Sequence, residues 1–285
     1  MSRPRRALVA AAVAAATTHG ARWALGARPP GGRRRWTRTN HRGEDVSLLE
    51  GPAVLAGILA GGSVAVPPGP HRSALLLATS TAGVFGIVDD LAERGGQAKG
   101  LKGHLRAARD GRLTTGVLKV LGIGAGAVLA AHVAADEDGT GSTGRALGVL
   151  ADGATIAAAA NLVNLFDLRP GRALKVSGAV AATLTLATGA PAPAAVLGGV
   201  AAAAPGDLGE RDMLGDGGAN ALGAFLGTTL VLTTPRAVRL GALAGLVALT
   251  VASERTSFSA VIASTPWLDR ADRWGRRPSP EGTAR

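Results

Sequence analysis

Residues 73–91 read SALLLATSTAGVFGIVDDL, an apolar run that closes on two adjacent carboxylates, Asp89 and Asp90. At roughly 1.5 Å per residue the run is as long as the hydrocarbon core of a bilayer is thick, about 30 Å. Two like charges at the edge of hydrocarbon are costly, so they call for partners: a metal ion, a substrate, or water at a solvated helix end. Neighbouring helix positions point about 100° apart. One carboxylate of the pair can therefore ligate a metal while the other meets a substrate or a supporting residue.

Working outward, the same apolar texture recurs along the chain. The 285 residues are 47% hydrophobic but only 3% aromatic, with 42 glycines and an apolar content dominated by Ala, Leu and Val. Small residues let membrane helices approach closely, where van der Waals packing replaces the hydrophobic drive. A soluble, Ala-heavy helical protein would instead show amphipathic stripes. Nine membrane segments are predicted, at 7–26, 51–67, 73–91, 114–134, 144–165, 175–189, 192–205, 218–234 and 237–253. The expected fold is thus all-α and polytopic, one helical domain over 1–265 followed by a partly disordered cytoplasmic tail over 266–285.

The net charge of +11 would raise nucleic acid as a partner for a soluble chain. Here the basic residues cluster between apolar blocks and stacking aromatics are nearly absent, with no Tyr, so no nucleic acid is expected. Positive-inside bias and anionic headgroups account for the charge. Zero cysteines excludes disulfides and thiolate chemistry. Arg28, Arg33, Arg34, Arg35, Arg38 and Arg42 follow the first helix, whereas Arg3, Arg5 and Arg6 precede it. That asymmetry predicts an outside N-terminus and a cytoplasmic C-terminus. Alternation then brings Asp89, Asp90, Asp167 and Asp216 to cytoplasmic helix ends.

Three further stretches carry candidate chemistry. In the first, Asn161, Asn164 and Asp167 are spaced by three and are helical neighbours. Amides in an Ala-rich helix need partners, which a ligand or a facing helix can supply. Arg169, Arg172 and Lys175 follow, cations suited to phosphate oxygens and equally to a cytoplasmic loop. In the second, Gly215-Asp216-Gly217-Gly218 opens an apolar segment, permitting close backbone approach to a ligand or an ordinary helix cap. The third is a basic loop with Lys99, Lys102 and His104, running on to Lys119; it suits lipid phosphate, donor pyrophosphate, or charge bias alone.

Taken together, these segments resemble the polyprenyl-phosphate N-acetylhexosamine-1-phosphate transferase superfamily. The resemblance spans Asn40-His41-Arg42-Gly43 through Asn220. It rests on ordered motifs: Asp-Asp after the third helix, Asn-x-x-Asn-x-x-Asp after the fifth, and Gly-Asp-x-Gly before the eighth. It implies attack by undecaprenyl phosphate on the β-phosphate of a UDP-aminosugar, with release of UMP, at the cytoplasmic face of a bacterial plasma membrane. It further implies Mg²⁺ (with Mn²⁺ as a substitute) on Asp216 and Asp90. Asp89, Asp90 and Asp167 would be catalytic. Asn161, Asn164, Arg169, Arg172, Lys175, Lys99, Lys102, His104 and Lys119 would contact substrate. Membrane lipids and a homodimer are the remaining partners this reading admits.

The chain departs from the family pattern in two places. The family reads Asp-Gly-(Leu/Ile)-Asp-Gly after the asparagines, where this chain has Asp167-Leu168-Arg169-Pro170-Gly171-Arg172. It also has no histidine after His132, so the family's histidine-rich loop is missing. The alternative to an Mg-dependent phosphotransferase is a non-catalytic homologue that binds the lipid carrier or scaffolds an envelope-assembly complex.

Overall fold

A computed structural model describes residues 1–40, 42–92, 115–135 and 142–278. Lys99, Lys102 and His104 of the basic loop lie outside them. The described residues form an all-α protein with a single short hairpin. Helices α1 (Arg3–Ala27), α2 (Glu50–Ala65), α3 (Pro70–Ala92), α4 (Thr115–Ala134) and α5 (Ser142–Phe166) come first. Helices α6 (Arg172–Thr188), α7 (Pro193–Asp207), α8 (Gly215–Thr233) and α9 (Arg236–Ser253) follow. Each of the nine predicted apolar segments coincides with one of these helices. By length and composition, α3, α4, α5 and α9 are able to cross a membrane, and α2 is a shorter apolar helix.

Local sequence explains the helix boundaries. Pro67-Pro68-Gly69 ends the extended stretch after α2, and Pro70 opens α3 where its missing N–H is no loss. Gly189, in the left-handed region at φ 64°, ends α6 and returns its N–H to the Thr185 carbonyl at 3.0 Å.

Helix α8 organises the packing. It is buried along nearly its whole length because it separates two cores. On one side Phe225, Leu222 and Leu226 pack with Val54, Ile58, Leu75, Leu174 and Val196. On the other, Ala224 and Val231 pack with Ala78, Ala82, Ile123, Ile156 and Ala160. A helix apolar on every face is one that neighbours surround, here chiefly α2, α3 and α5. Small residues let the backbones touch: a methyl group on Gly223 would fall 2.5 Å from the Ala160 Cα, and one on Gly86 2.6 Å from the Asp216 carbonyl carbon.

The polar connections differ from a plain loop reading. Residues Arg33–Trp36 form a 3₁₀ turn, and strands β1 (Thr37–Thr39) and β2 (Asp45–Ser47) pair antiparallel, Arg38 opposite Val46. Ser47 extends the pairing to the segment before α8, accepting from Met213 N–H at 2.9 Å and donating to the Arg211 carbonyl at 3.0 Å. Asn40 builds the hairpin turn, its Oδ1 accepting from the N–H groups of Arg42 (2.8 Å) and Glu44 (2.9 Å). Trp36 seals the hairpin onto Leu48 and Leu49.

Residues 266–278 are not a free tail. Helices α10 (Phe258–Ser264) and α11 (Pro266–Arg273) fold back over the end of α5 and the start of α6. Phe258 stacks on Phe166 at 5.0 Å between ring centroids. Arg172 grips Asp272 through two hydrogen bonds, at 2.8 and 2.9 Å. Lys175 donates to the Asp272 carbonyl at 2.7 Å, and Arg276 to that of Pro170 at 2.8 Å. Bidentate charge-assisted bonds of this kind hold a segment whose composition alone reads as disordered.

Candidate functional site

Alternating helices bring the C-terminal ends of α3 and α5 and the N-terminal ends of α4 and α8 to one end of the bundle. The two carboxylates of the opening motif diverge there, as adjacent helix positions must. Asp89 is 5% exposed and turns toward α4, where the Lys119 ammonium bridges it to Asp216 of α8. Asp90 turns toward the start of α8. Its Oδ1 accepts the Asp216 N–H at 3.1 Å and its Oδ2 the Gly217 N–H at 2.9 Å. Asp90 thus caps a helix from across the chain, satisfying donors that α8 cannot satisfy itself.

Gly215 makes this approach possible. Its φ of 62° is a conformation that side-chain-bearing residues rarely adopt, and a methyl group there would lie 2.9 Å from Asp90 Oδ2. Asp167, one residue past α5, lies beside the Gly215 backbone. Burial pushes Asp167 well above the usual carboxylate range, and the charges of Asp207, Asp216 and Asp90 push it the same way. The Arg38 guanidinium donates to the Asp90 carbonyl and so fixes the hairpin against the site. Asn220 closes the α8 turn, its Nδ2 donating to the Asp216 carbonyl at 2.8 Å.

The remaining predicted residues scatter. Asn161 is exposed and reaches Thr250 of α9, away from the carboxylates, at a long 3.4 Å. Asn164 is half-buried, and its carbonyl accepts the Asp167 N–H at 3.0 Å as α5 ends. Arg172 and Lys175 are committed to the C-terminal segment, Arg172 with a further bond to Ser259 Oγ at 2.9 Å. Arg169 is exposed and unpaired among the described residues.

Asp89, Asp90 and Asp216 outnumber the Lys119 ammonium and the Arg38 guanidinium beside them. Hard oxygen donors with such an excess suit a divalent cation, and Mg²⁺ takes one or two carboxylates and fills its other positions with phosphate oxygens and water. No three acidic or histidine side chains converge on a point among the described residues. By donor type the best-placed pair is Asp216 and Asp89, which already share one cation, the Lys119 ammonium. Asp90 has both oxygens engaged by backbone N–H groups.

A second acidic group at the same end carries no motif. Glu50 opens α2, Asp207 closes α7 and Asp212 precedes α8; all but Asp212 are nearly inaccessible. Arg22 of α1 pairs with Asp212, with Nε donating at 2.9 Å. A methyl group on Gly206 would meet Asp212 Oδ2 at 2.6 Å and Glu50 Oε2 at 3.2 Å, so these two carboxylates crowd one point. Glu50 Oε1 and Asp207 Oδ2 are buried with no hydrogen-bond partner. Both residues flank apolar blocks, the signal that marked Asp89 and Asp90, but no recognisable spacing surrounds them.

A scan against protein-family models and a search of curated proteins each return no match.

Proposed function

We propose that the chain is a divergent membrane phosphotransferase, moving a sugar-1-phosphate from a UDP-sugar to undecaprenyl phosphate in a bacterial plasma membrane. In this reading all nine long helices are membrane segments, the N-terminus is outside, and the acidic end faces the cytoplasm. The observation that carries it is that carboxylates from three separate helix ends gather at the start of α8: Lys119 joins Asp89 to Asp216, Asp90 caps the helix, and Asp167 lies beside it. Carboxylates gathered at a membrane edge are costly without a ligand that uses them.

The reaction joins two anions. A lipid phosphate oxygen attacks the β-phosphorus of the donor, the bond between that phosphorus and the bridging oxygen breaks, and UMP leaves with the electron pair. Lys119 would offset the repulsion by shifting part of its charge from Asp89 and Asp216 to incoming phosphate oxygens. Asp90 and Asp167 would hold the α8 terminus rigid while substrates exchange. Asp216 and Asp89 would hold Mg²⁺, which when bound supplies Lewis-acid polarisation of phosphoryl oxygens.

One observation favours a second reading, a lipid-phosphate binder without turnover: the Lys119 ammonium already holds the position between Asp89 and Asp216. Purified chain incubated with undecaprenyl phosphate, Mg²⁺ and a panel of UDP-sugars separates the two. Transferase activity requires UMP release that disappears in folded Asp89→Asn and Asp216→Asn variants. Saturable lipid binding with no UMP from any donor would establish the second reading instead.

A further inference from the structure

The fold-back of the C-terminal segment encloses a polar cavity of about 430 Å³ between the loop after α5, the hairpin turn and helices α10 and α11. Six arginines line it: Arg42, Arg169, Arg172, Arg273, Arg276 and Arg277. Three carboxylates face them, Glu210, Asp269 and Asp272, and Glu44 pairs with Arg277 from outside, leaving an excess of two positive charges. This is unlike the rest of the acidic end, where carboxylates outnumber cations.

We propose that this cavity is a binding site for a phosphate-bearing anion, a diphosphate or phosphomonoester group held by arginine guanidinium groups. The wall is rigid and the charge is not spent. Arg172 is fixed by Asp272 and Ser259, Arg42 pairs with Glu210 at 2.9 Å, and Arg277 pairs with Glu44 at 2.8 Å. Arg42 also donates to the carbonyls of Arg277 and Pro278, so the last described residues close the cavity against the hairpin. Arg169 has no carboxylate at all among the described residues. Arg273 has only an exposed i,i+4 partner, Asp269, a type of pair worth little in water.

Crowding of like charge points the same way. Burial pulls Arg276 below the usual arginine range, and the charges of Arg172 and Arg169 add to that against the opposing pull of Asp272. An anion in the cavity relieves this repulsion. Planar guanidinium groups present paired N–H donors that match phosphoryl oxygens. A cavity of this size admits a small phosphorylated compound. The same chemistry is offered by a soluble phosphate compound and by a lipid headgroup at the membrane edge. The site stands apart from the transfer reaction and does not depend on it.

The test uses the full chain in nanodiscs, with inorganic pyrophosphate as the probe and calorimetric titration as the readout. In phosphatidylcholine discs pyrophosphate binds saturably. Arg169→Gln and Arg273→Gln, both at exposed positions, each weaken it by roughly tenfold or more. If phosphatidylglycerol discs compete the probe away, a headgroup phosphate is the natural occupant; equal affinity in both discs identifies a soluble compound. Asp216→Asn, which abolishes transfer under the proposal above, retains pyrophosphate binding, so the two ideas fail separately. Absence of saturable binding in phosphatidylcholine discs, or binding that both variants leave within about twofold, overturns the site.

Discussion

Asp89, Asp90 and Asp216 are answered by Lys119 and by the N–H groups of Asp216 and Gly217 at the start of α8. A short distance away, Glu50, Asp207 and Asp212 have Arg22, and two of their buried oxygens have nothing. Both groups sit at the same end of the same bundle, so burial does not distinguish them. What differs is whether the surrounding backbone presents donors. The start of α8 does, its N–H groups reaching Asp90, whereas Asp207 lies at the C-terminal end of α7, where carbonyls prevail, and Glu50, although it opens α2, keeps Oε1 without a partner. A helix start can supply a carboxyl group from across the chain with donors, as α8 does for Asp90; the end of a helix offers carbonyls instead.

The comparison is most directly broken at Lys119. Lys119→Met leaves Asp89 and Asp216 close together without their shared cation, and loss of about 3 kcal/mol of stability is expected. Thermal unfolding in detergent, followed by tryptophan fluorescence, measures it; an unchanged midpoint would show that the bridge is immaterial to the fold. Arg22→Met removes the cation paired with Asp212 in the second group, but Arg22 is about one-third exposed, so a smaller loss of about 1–2 kcal/mol is expected. Adding Asp212→Asn should recover most of that loss, and a double-mutant cycle with no coupling would refute the pairing.

Glu50→Gln has the opposite sign. It replaces a carboxyl oxygen, Oε1, that has no partner and brings a donor next to crowded acceptors, so a gain of roughly 1 kcal/mol is expected. Destabilisation would mean that the Glu50 charge is used, and that the second group is a functional site. The smallest effect lies outside both groups, at Asp272. Burial acts to raise its pKa, but the hydrogen bond from Arg172 and the charges of Arg276 and Arg172 prevail and hold it below the usual carboxylate range. A carboxyl depressed on folding stabilises above its unfolded pKa and stops doing so as pH falls through its lower folded value. Acidification below about pH 4 should therefore loosen the C-terminal segment before the bundle melts. Limited proteolysis across that range reads it directly, and equal protection at pH 3 and pH 7 would contradict the assignment.

Much of this was legible in the chain. Nine apolar blocks coincide with α1 to α9, and alternation alone places Asp89, Asp90, Asp167 and Asp216 at one end. The hairpin was not legible, because strands of three residues show no alternation and depend on Ser47 finding the segment before α8. Nor was the division of labour between Asp89 and Asp90, since the partner of Asp90 is backbone and carries no side-chain signal. Arg172 and Lys175 read as phosphate ligands by residue type. Their true partners, Asp272 and two main-chain carbonyls, lie about a hundred residues on.

The burial of α8 on every face also constrains how the chain is made. Helices α2, α3 and α5 are synthesised before it, and until α8 arrives the groove that they form around it must hold something else. In a membrane that occupant is lipid, which has to be squeezed out as the last partner slides in. Glycines at the contact leave no side chain to snag on the way, and Asp90 waits at the rim for the N–H groups that only the newcomer brings.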